Sequence, residues 1–496
     1  MAETENISDL AKAFSDTLTG YQNQVKEQLQ EMPPSFYLPI YGSLLYVMVL
    51  VLSRGGGIFN IVKVHPAANP IRFNPTGKSS VSVTELINSK IPELRNHAVS
   101  FFNPFLFTGH LQTMFAGIRK FRRSDRLYFG RQIIRTEDGG SVSLDEVIGY
   151  DQYRKVKVTD KDDVPEGQNE NINDTTRYLT KEEIENQGSQ DNKPMIIALH
   201  GLSGSSAESY CRCLFSRLHE KQGFDCFVLN ARGCGNTELT SPALFCAMWT
   251  EDIRQTVKLL KSRFPNRPLF AVGFSLGSAI LTNYLGQEGD HSGIDFAVTL
   301  ACIWDLRASG YQLENGLISG TFYGPIMALP LLRLLSKHRD ELRKDPIFAQ
   351  NYTPETVRKV RQLSDFDDNF TSPMFGFTCA DQYYFYGSPI QRMDNIRTPL
   401  LNINSLDDPI AGTPERGCIP LTRASFNPYI TMITTTLGGH LGWFKWNNVR
   451  WYADPVSDLM GELYRNVFKD GFKVEVEKGS IPKPVCIEDG RLVRRR

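Results

Sequence analysis

Residues 271–279 read Ala-Val-Gly-Phe-Ser-Leu-Gly-Ser-Ala, a Gly-x-Ser-x-Gly at Gly273, Ser275 and Gly277. Upstream, Pro268–Val272 is short, apolar and β-prone; downstream, Ser278–Leu285 (Ser-Ala-Ile-Leu-Thr-Asn-Tyr-Leu) continues as a helix. A strand that turns this sharply into a helix strains the backbone of the serine, and glycine on each side leaves room for it. The turn lifts Oγ clear of the sheet. It also aims the N-terminus of the next helix at the reacting centre, where developing negative charge is favoured. Ser275 is therefore the candidate nucleophile. Whether it is instead an ordinary helix N-cap depends on whether the chain also supplies an acid and a base.

Both follow in the order serine, acid, histidine. Thr398–Ser405 (Thr-Pro-Leu-Leu-Asn-Ile-Asn-Ser) reads as a buried strand, and Leu406-Asp407-Asp408-Pro409 leaves its tip. After a further β-prone run, Tyr429–Thr436, comes Leu437-Gly438-Gly439-His440-Leu441-Gly442-Trp443. Asp408 is the candidate orienting acid because Pro409 fixes the turn directly after it; Asp407 and Asp305 are the alternatives. His440 is the candidate base, with glycines that let the imidazole approach both partners. The oxyanion donors are placed in two loops. Met195–Leu199 runs into His200-Gly201-Leu202-Ser203-Gly204, which assigns one N–H to Leu202 and the other to Leu276, the residue after the nucleophile. His200 itself reads as a loop-ordering side chain with no part in proton transfer. This chemistry needs no metal or organic cofactor.

Over roughly residues 103–468 the chain resembles the α/β-hydrolase branch of fungal medium-chain fatty-acid ethyl ester synthase/esterases and their monoacylglycerol lipase and phospholipase relatives. The resemblance rests on the three site segments above and on Asn103-Pro104-Phe105, Gly109-His110-Leu111-Gln112-Thr113, Leu229-Asn230-Ala231-Arg232-Gly233-Cys234 and Glu238-Leu239-Thr240-Ser241-Pro242. Phe366-Asp367-Asp368-Asn369-Phe370-Thr371, followed by Phe375-Gly376-Phe377 and Tyr383-Tyr384, gives it a fungal character. What the resemblance implies is a serine esterase acting on medium-chain acyl esters or glycerides, with water or a short alcohol as acyl acceptor. A phospholipase, or a lipid-binding receptor that has kept only the fold, are the alternatives it leaves. No His-x-x-x-x-Asp acyltransferase motif occurs, so any acyl transfer runs through the serine.

Composition narrows the partners. The 496 residues carry 55 basic and 55 acidic side chains and are 41% hydrophobic. A chain without net positive charge is not built for nucleic acid. Nine cysteines, an odd number scattered through apolar runs, suit buried thiols in a reducing compartment. Phe36–Ser53 (FYLPIYGSLLYVMVLVLS) has no charge; spanning a bilayer takes about 20 apolar residues, with roughly 17 as the lower limit. We expect a membrane anchor there, preceded by a polar segment over 1–35. The basic residues that follow it place the catalytic domain on the cytosolic side. The surface contacted is a membrane or lipid droplet.

The rest divides into a connector and N-terminal extension over 54–125, a hydrolase domain over 126–470 and a C-terminal tail over 471–496. Leu127–Thr136 and Ser141–Ile148 read as an opening hairpin. The segment 159–192, charged and amide-rich, reads as a mobile insertion. Strands at Phe224–Asn230, Pro268–Phe274, Asp295–Ala301, Thr398–Ser405 and Pro428–Thr436 alternate with helical stretches such as Ala247–Ser262. That alternation predicts a mostly parallel sheet with helices on both faces. Residues 303–397 break the rhythm and read as a helical lid, with Ile318–Leu335 as a candidate wall of an acyl-chain pocket.

Overall fold

Runs such as Met195–Leu199 are apolar at every position because the strands they form are covered on both faces. The computed structural model describes residues 57–119, 121–155, 164–169, 172–316, 318–477, 486–488 and 491–493. The chain divides into Met1–Gly56 and Gly57–Arg496; the candidate anchor at 36–53 lies outside the described residues.

The strands are β1 (Phe59–His65), β2 (Arg72–Pro75), β3 (Val99–Phe101), β4 (Tyr128–Arg135), β5 (Ser141–Ile148), β6 (Thr176–Tyr178), β7 (Met195–Leu199), β8 (Asp225–Asn230), β9 (Leu269–Phe274), β10 (Phe296–Leu300), β11 (Leu400–Ser405), β12 (Ile430–Thr435) and β13 (Phe472–Glu475). Eleven of them form one sheet in the order β3-β1-β12-β11-β10-β9-β7-β8-β5-β4-β6. The six from β12 to β8 are mutually parallel. Antiparallel pairs flank them, β5 on β8 and β1 on β12. The period of two is visible in the core. Ile196, Ala198, Phe270 and Val272 enter one apolar cluster, while Met195, Ile197, Leu269 and Ala271 enter the other. Helices α2 (Ser209–Gln222) and α7 (Ala453–Leu463) cover the first face with Leu214, Phe215, Leu459 and Met460. Helices α3 (Glu251–Arg263) and α4 (Leu276–Glu288) cover the second with Ile253, Val257, Leu281 and Leu285. The doubly covered, mostly parallel sheet expected from the sequence is the one that forms, and its opening hairpin is β4–β5.

The structure adds to three of the expected segments. The stretch 54–125, expected as connector and N-terminal extension, is part of the fold: β1 and β3 extend the main sheet, and helix α1 (Gly109–Ile118) reaches the site described below. The segment 159–192 is not mobile throughout. Thr176–Tyr178 pairs with β4 and is buried, although its composition is polar. Arg177 satisfies its charge on Glu183, and Thr180 with Glu183 closes a capping box on the following short helix. The C-terminal tail joins the fold at its start, where β13 pairs with β2 and Phe472 packs on Phe73.

Between β10 and β11 the chain leaves the sheet as a set of helices, chiefly α5 (Leu306–Asn315) and α6 (Gly324–Lys337). Met327, Leu331 and Leu335 of α6 line a cavity. Ile326 and Leu329, with Ile318 and Phe322 just before the helix, are exposed. Among the described residues no single helix is long and apolar enough to cross a membrane.

Candidate active site

Ser275 sits at the tip of β9 with φ 53° and ψ −118°, a conformation that costs about 1–3 kcal/mol for a residue with a Cβ. The fold holds it there from both sides. Its N–H donates to the carbonyl of Leu300 at 3.0 Å, and its carbonyl accepts from Ser278 at 2.9 Å. A Cβ on Gly277 would lie 2.2 Å from the carbonyl oxygen of Leu199, so only glycine lets α4 pack this close to β7.

The three residues singled out in the sequence converge. His440 Nε2 lies 2.6 Å from Ser275 Oγ, and His440 Nδ1 lies 2.8 Å from Asp408 Oδ2. Asp408 is buried, and its other oxygen, Oδ1, accepts from the backbone N–H of Ile410 (2.8 Å) and of Ala411 (2.9 Å). Those two bonds fix which oxygen faces the imidazole. Ser275 and the buried Asp408 therefore occupy opposite ends of one histidine, the arrangement that moves a proton off a serine.

The two alternative acids are elsewhere. Asp305 accepts from Ala308 N–H at 2.9 Å and caps α5. Asp407 faces away from the imidazole: its Oδ1 accepts from Ser405 Oγ (2.5 Å) and from the backbone N–H of Gly439 (2.8 Å). Burial, aided by the charge of Asp408, pushes its carboxyl up to about 6. Asp407 thus ties the acid loop to the histidine loop.

The Gly-His-Leu-Gln-Thr segment, striking in sequence only as a family signature, becomes a brace. Thr113 Oγ1 accepts the backbone N–H of His440 at 2.9 Å and donates to the carbonyl of Gly109 at 2.7 Å. Gln112 spans from Leu106 O (2.8 Å) to the N–H of Phe444 (2.9 Å). A Cβ on Gly109 would fall 1.8 Å from the carbonyl oxygen of Asp407. His110 stacks on Tyr323 of the lid with ring centroids 5.7 Å apart. One helix therefore touches the acid loop, the histidine loop and the lid.

Leu202 and Leu276 both line the cavity that holds Ser275. Leu276 opens α4, so its N–H belongs to the helix turn that has no intrahelical acceptor. The loop of Leu202 is pinned from below by a buried ionic network that sequence reading did not foresee. Ser206 Oγ donates to Asp145 Oδ2 at 2.5 Å, and Ser206 N–H to Asn230 Oδ1 at 2.8 Å. Arg131 grips the Asp145 carboxylate with two bonds of 2.7 Å. His200 also holds this region together. Its Nε2 accepts from Ala231 N–H at 3.0 Å, so its protonated Nδ1 donates to Gly201 O at 2.7 Å. Burial lowers it to about 4, which keeps it neutral and out of proton transfer.

The cavity has about 960 Å³ of space not filled by atoms, its open mouth included. Its walls are apolar side chains from the Leu244–Cys246 loop, α5, α6 and the later lid helices. The eight cysteines from Cys211 to Cys418 are free thiols, and burial pushes Cys246 on this wall up to about 12.

Comparison with known proteins agrees with this geometry. Residues 194–306 match the α/β-hydrolase fold family. The chain is 35% identical over 437 residues to a monoacylglycerol lipase of Saccharomyces cerevisiae, covering 86% of this chain and 96% of the relative. It is also 35% identical over 413 residues to medium-chain fatty acid ethyl ester synthase/esterase 2 of the same yeast, covering 77% and 90%. Phospholipase ABHD3 of Homo sapiens is 30% identical over 330 residues, covering 66% and 70%. With a third of its residues shared with both yeast enzymes along most of their length, the chain belongs to the α/β-hydrolase superfamily, in the branch of fungal medium-chain ethyl ester synthase/esterases and monoacylglycerol lipases, and is a serine hydrolase of lipid esters.

Proposed function

We propose that the chain cleaves and transfers medium-chain acyl groups, from fatty-acid ethyl esters and monoacylglycerols, through an acyl-Ser275 intermediate that water or a short alcohol resolves. The observation that carries this reading is the Ser275–His440–Asp408 relay opening into an apolar, lid-covered cavity. His440 takes the proton of Ser275 as Oγ attacks the ester carbonyl, and Asp408 stabilises the imidazolium. The N–H groups of Leu202 and Leu276 receive the oxyanion. The alcohol leaves with the proton from His440. The same imidazole then deprotonates the incoming water or alcohol, which releases acid or new ester and restores Ser275. A purified-enzyme screen of p-nitrophenyl esters from two to sixteen carbons, beside monoacylglycerols and phosphatidylcholine, tests it. The expected optimum lies at medium length, with glycerides cleaved; a rate that depends on a phospholipid headgroup supports the phospholipase reading instead.

The substrates are amphiphiles, and two exposed apolar surfaces suit a lipid interface. One is the lid stripe Ile318, Phe322, Ile326 and Leu329, spaced as one helical face. The other is at the sheet edge and α1, where Phe105 (77% exposed), Ile118 (75%) and Trp446 (60%) stand out, Trp446 packing beside Phe101 and Phe105. On this reading residues 36–53 anchor the protein, with the catalytic domain cytosolic, and these surfaces rest on the bilayer or droplet. Removing residues 1–56 should then shift the protein from the membrane to the soluble fraction while short-ester hydrolysis persists. Carbonate-resistant membrane association of the truncated chain would move the anchor into the lid.

A further inference from the structure

The wall of the cavity is apolar except at a few points, and most of those are already engaged. Ser309 Oγ donates to Ala411 O at 2.8 Å, and Tyr383 Oη accepts from Ala247 N–H at 3.0 Å. Asp367 is different. It lies in the lid turn Asp367–Thr371, a π-helical turn of the kind common at functional sites. It is 6% exposed, lines the cavity, and accepts from Tyr384 Oη at 2.7 Å through Oδ2. Thr371 also hydrogen-bonds it, and the charges that act on it most are those of Asp368 and Glu314, both acidic, Glu314 lining the same cavity. Asp368 is occupied with the N–H of Ala380 at 2.6 Å. Burial pushes the Asp367 carboxyl up to about 7.

A carboxyl turned towards an apolar cavity without a counter-ion is costly unless a polar partner meets it. The partner that suits it is a hydroxyl. An alcohol O–H donates to a carboxylate and accepts from a carboxylic acid, so it pairs with Asp367 in either protonation state. Thr371 and Tyr384 on the same wall, both hydrogen-bonded to Asp367, make it the centre of a polar cluster. An anionic group is disfavoured there by Asp367 and Glu314 together. A plain alkyl ester brings no polar group to this cluster and leaves it with only Thr371 and Tyr384 as partners in a dry cavity, the condition under which sites built for hydrogen bonding disfavour an analogue.

We infer that Asp367, supported by Tyr384, forms a hydroxyl-binding subsite within the substrate cavity and makes the enzyme prefer hydroxyl-bearing esters to plain alkyl esters. This rests on the cavity being the ester site proposed above. The hydroxyl has two chemical sources, the glyceryl group of a monoacylglycerol or an oxidised acyl chain, and each needs its own comparison.

The full-length protein should be assayed for kcat/KM on 1-decanoylglycerol, ethyl decanoate and ethyl 10-hydroxydecanoate. The parent enzyme should favour a hydroxyl-bearing ester about 10- to 100-fold over ethyl decanoate, the range of a hydrogen bond to a charged group. Preference for the glyceride places the glyceryl group at Asp367; preference for the hydroxyacyl ester places the chain there. Asp367→Leu should collapse that ratio towards one, and Asp367→Asn, whose amide still donates and accepts, should retain much of it. The competing role is structural, because the Asp367–Tyr384 bond also staples the lid turn to helix Ala380–Gly387. If so, Asp367→Leu lowers all three substrates equally and leaves the ratio intact, and the subsite is refuted. A parent enzyme that shows no preference refutes it as well. A parent enzyme that cleaves none of the three esters refutes the proposed function instead, and labelling of Ser275 by a fluorophosphonate reports whether each variant still folds its site.

Discussion

Ser275→Ala is expected to abolish hydrolysis and ester synthesis together. In the proposed cycle both products descend from one acyl-serine, so a chain without the nucleophile has no intermediate for either acceptor to attack. Removal of the nucleophile from a serine-protease relay lowers kcat by about 10⁶, equivalent to roughly 8 kcal/mol at 1.36 kcal/mol per decade. The change deletes one oxygen, and the backbone bonds from Ser275 to Leu300 and Ser278 are untouched, so the variant should unfold at nearly the parent temperature. In the parent, ethanol should divert acyl flux from acid to ethyl ester while the summed rate stays constant, provided acylation limits turnover. Ester synthesis that survived in Ser275→Ala while hydrolysis vanished would require a second acyltransferase site and would end the single-nucleophile account.

The second large effect belongs to Asp408→Asn, and the geometry gives its cause. The Oδ1 atom of Asp408 accepts two backbone N–H groups, from Ile410 and Ala411. An asparagine must keep its carbonyl oxygen on those donors, which turns its NH₂ towards His440 Nδ1. That nitrogen then has to accept, the ring proton moves to Nε2, and Nε2 loses the lone pair that takes the serine proton. The same change of tautomer in a serine protease costs about 10⁴ in kcat, or roughly 5 kcal/mol. Asp407→Asn should cost about tenfold at most, because Asp407 touches the histidine loop through the backbone N–H groups of Gly439 and Gly438 and not through the imidazole. The reverse ranking of the two variants would exchange their roles. Stability separates them too. Asp407 titrates near 6 rather than its ordinary 3.8, so folding favours its protonated form. The stability this carries is present below about pH 4 and is lost as pH rises through 6. The permanently neutral Asp407→Asn should therefore lose less thermal stability than the parent between pH 4 and 7, measured as Tm.

The parts of the site that were legible in sequence are those whose function lies in a short motif. Gly273-Phe-Ser275-Leu-Gly277 shows its turn because the constraint acts within five residues, and the loops at Asp408 and His440 each follow a recognisable strand. What stayed hidden depends on partners far along the chain. Nothing in Gly-His-Leu-Gln-Thr says that Thr113 holds His440, 327 residues away. Asp145 sits in a strand whose alternation looks ordinary, and its partners Ser206 and Asn230 lie 61 and 85 residues away. The fold followed the same division. The central strands were legible because both faces are apolar. β6 was not, since its burial rests on the Arg177–Glu183 pair rather than on hydrophobicity. β1 and β3 lie beyond the uncharged run, in a stretch whose Gly, Pro and Asn content reads as connector, and β1 acquires its meaning only by joining the last strand of the parallel set, β12.

That pairing of early and late segments has a consequence for how the protein is made. Ser275 precedes His440 by 165 residues, and ribosomes add about 5–20 residues per second. The proposed nucleophile thus leaves the tunnel roughly 10–30 s ahead of its proposed base. During that interval α1 has no histidine loop to grip, and one side of β1 waits for β12. On the proposed mechanism a nascent or prematurely terminated chain is chemically silent, and the ability to cleave lipid esters arises only when the late strand β12 joins β1 and β3 to the rest of the sheet.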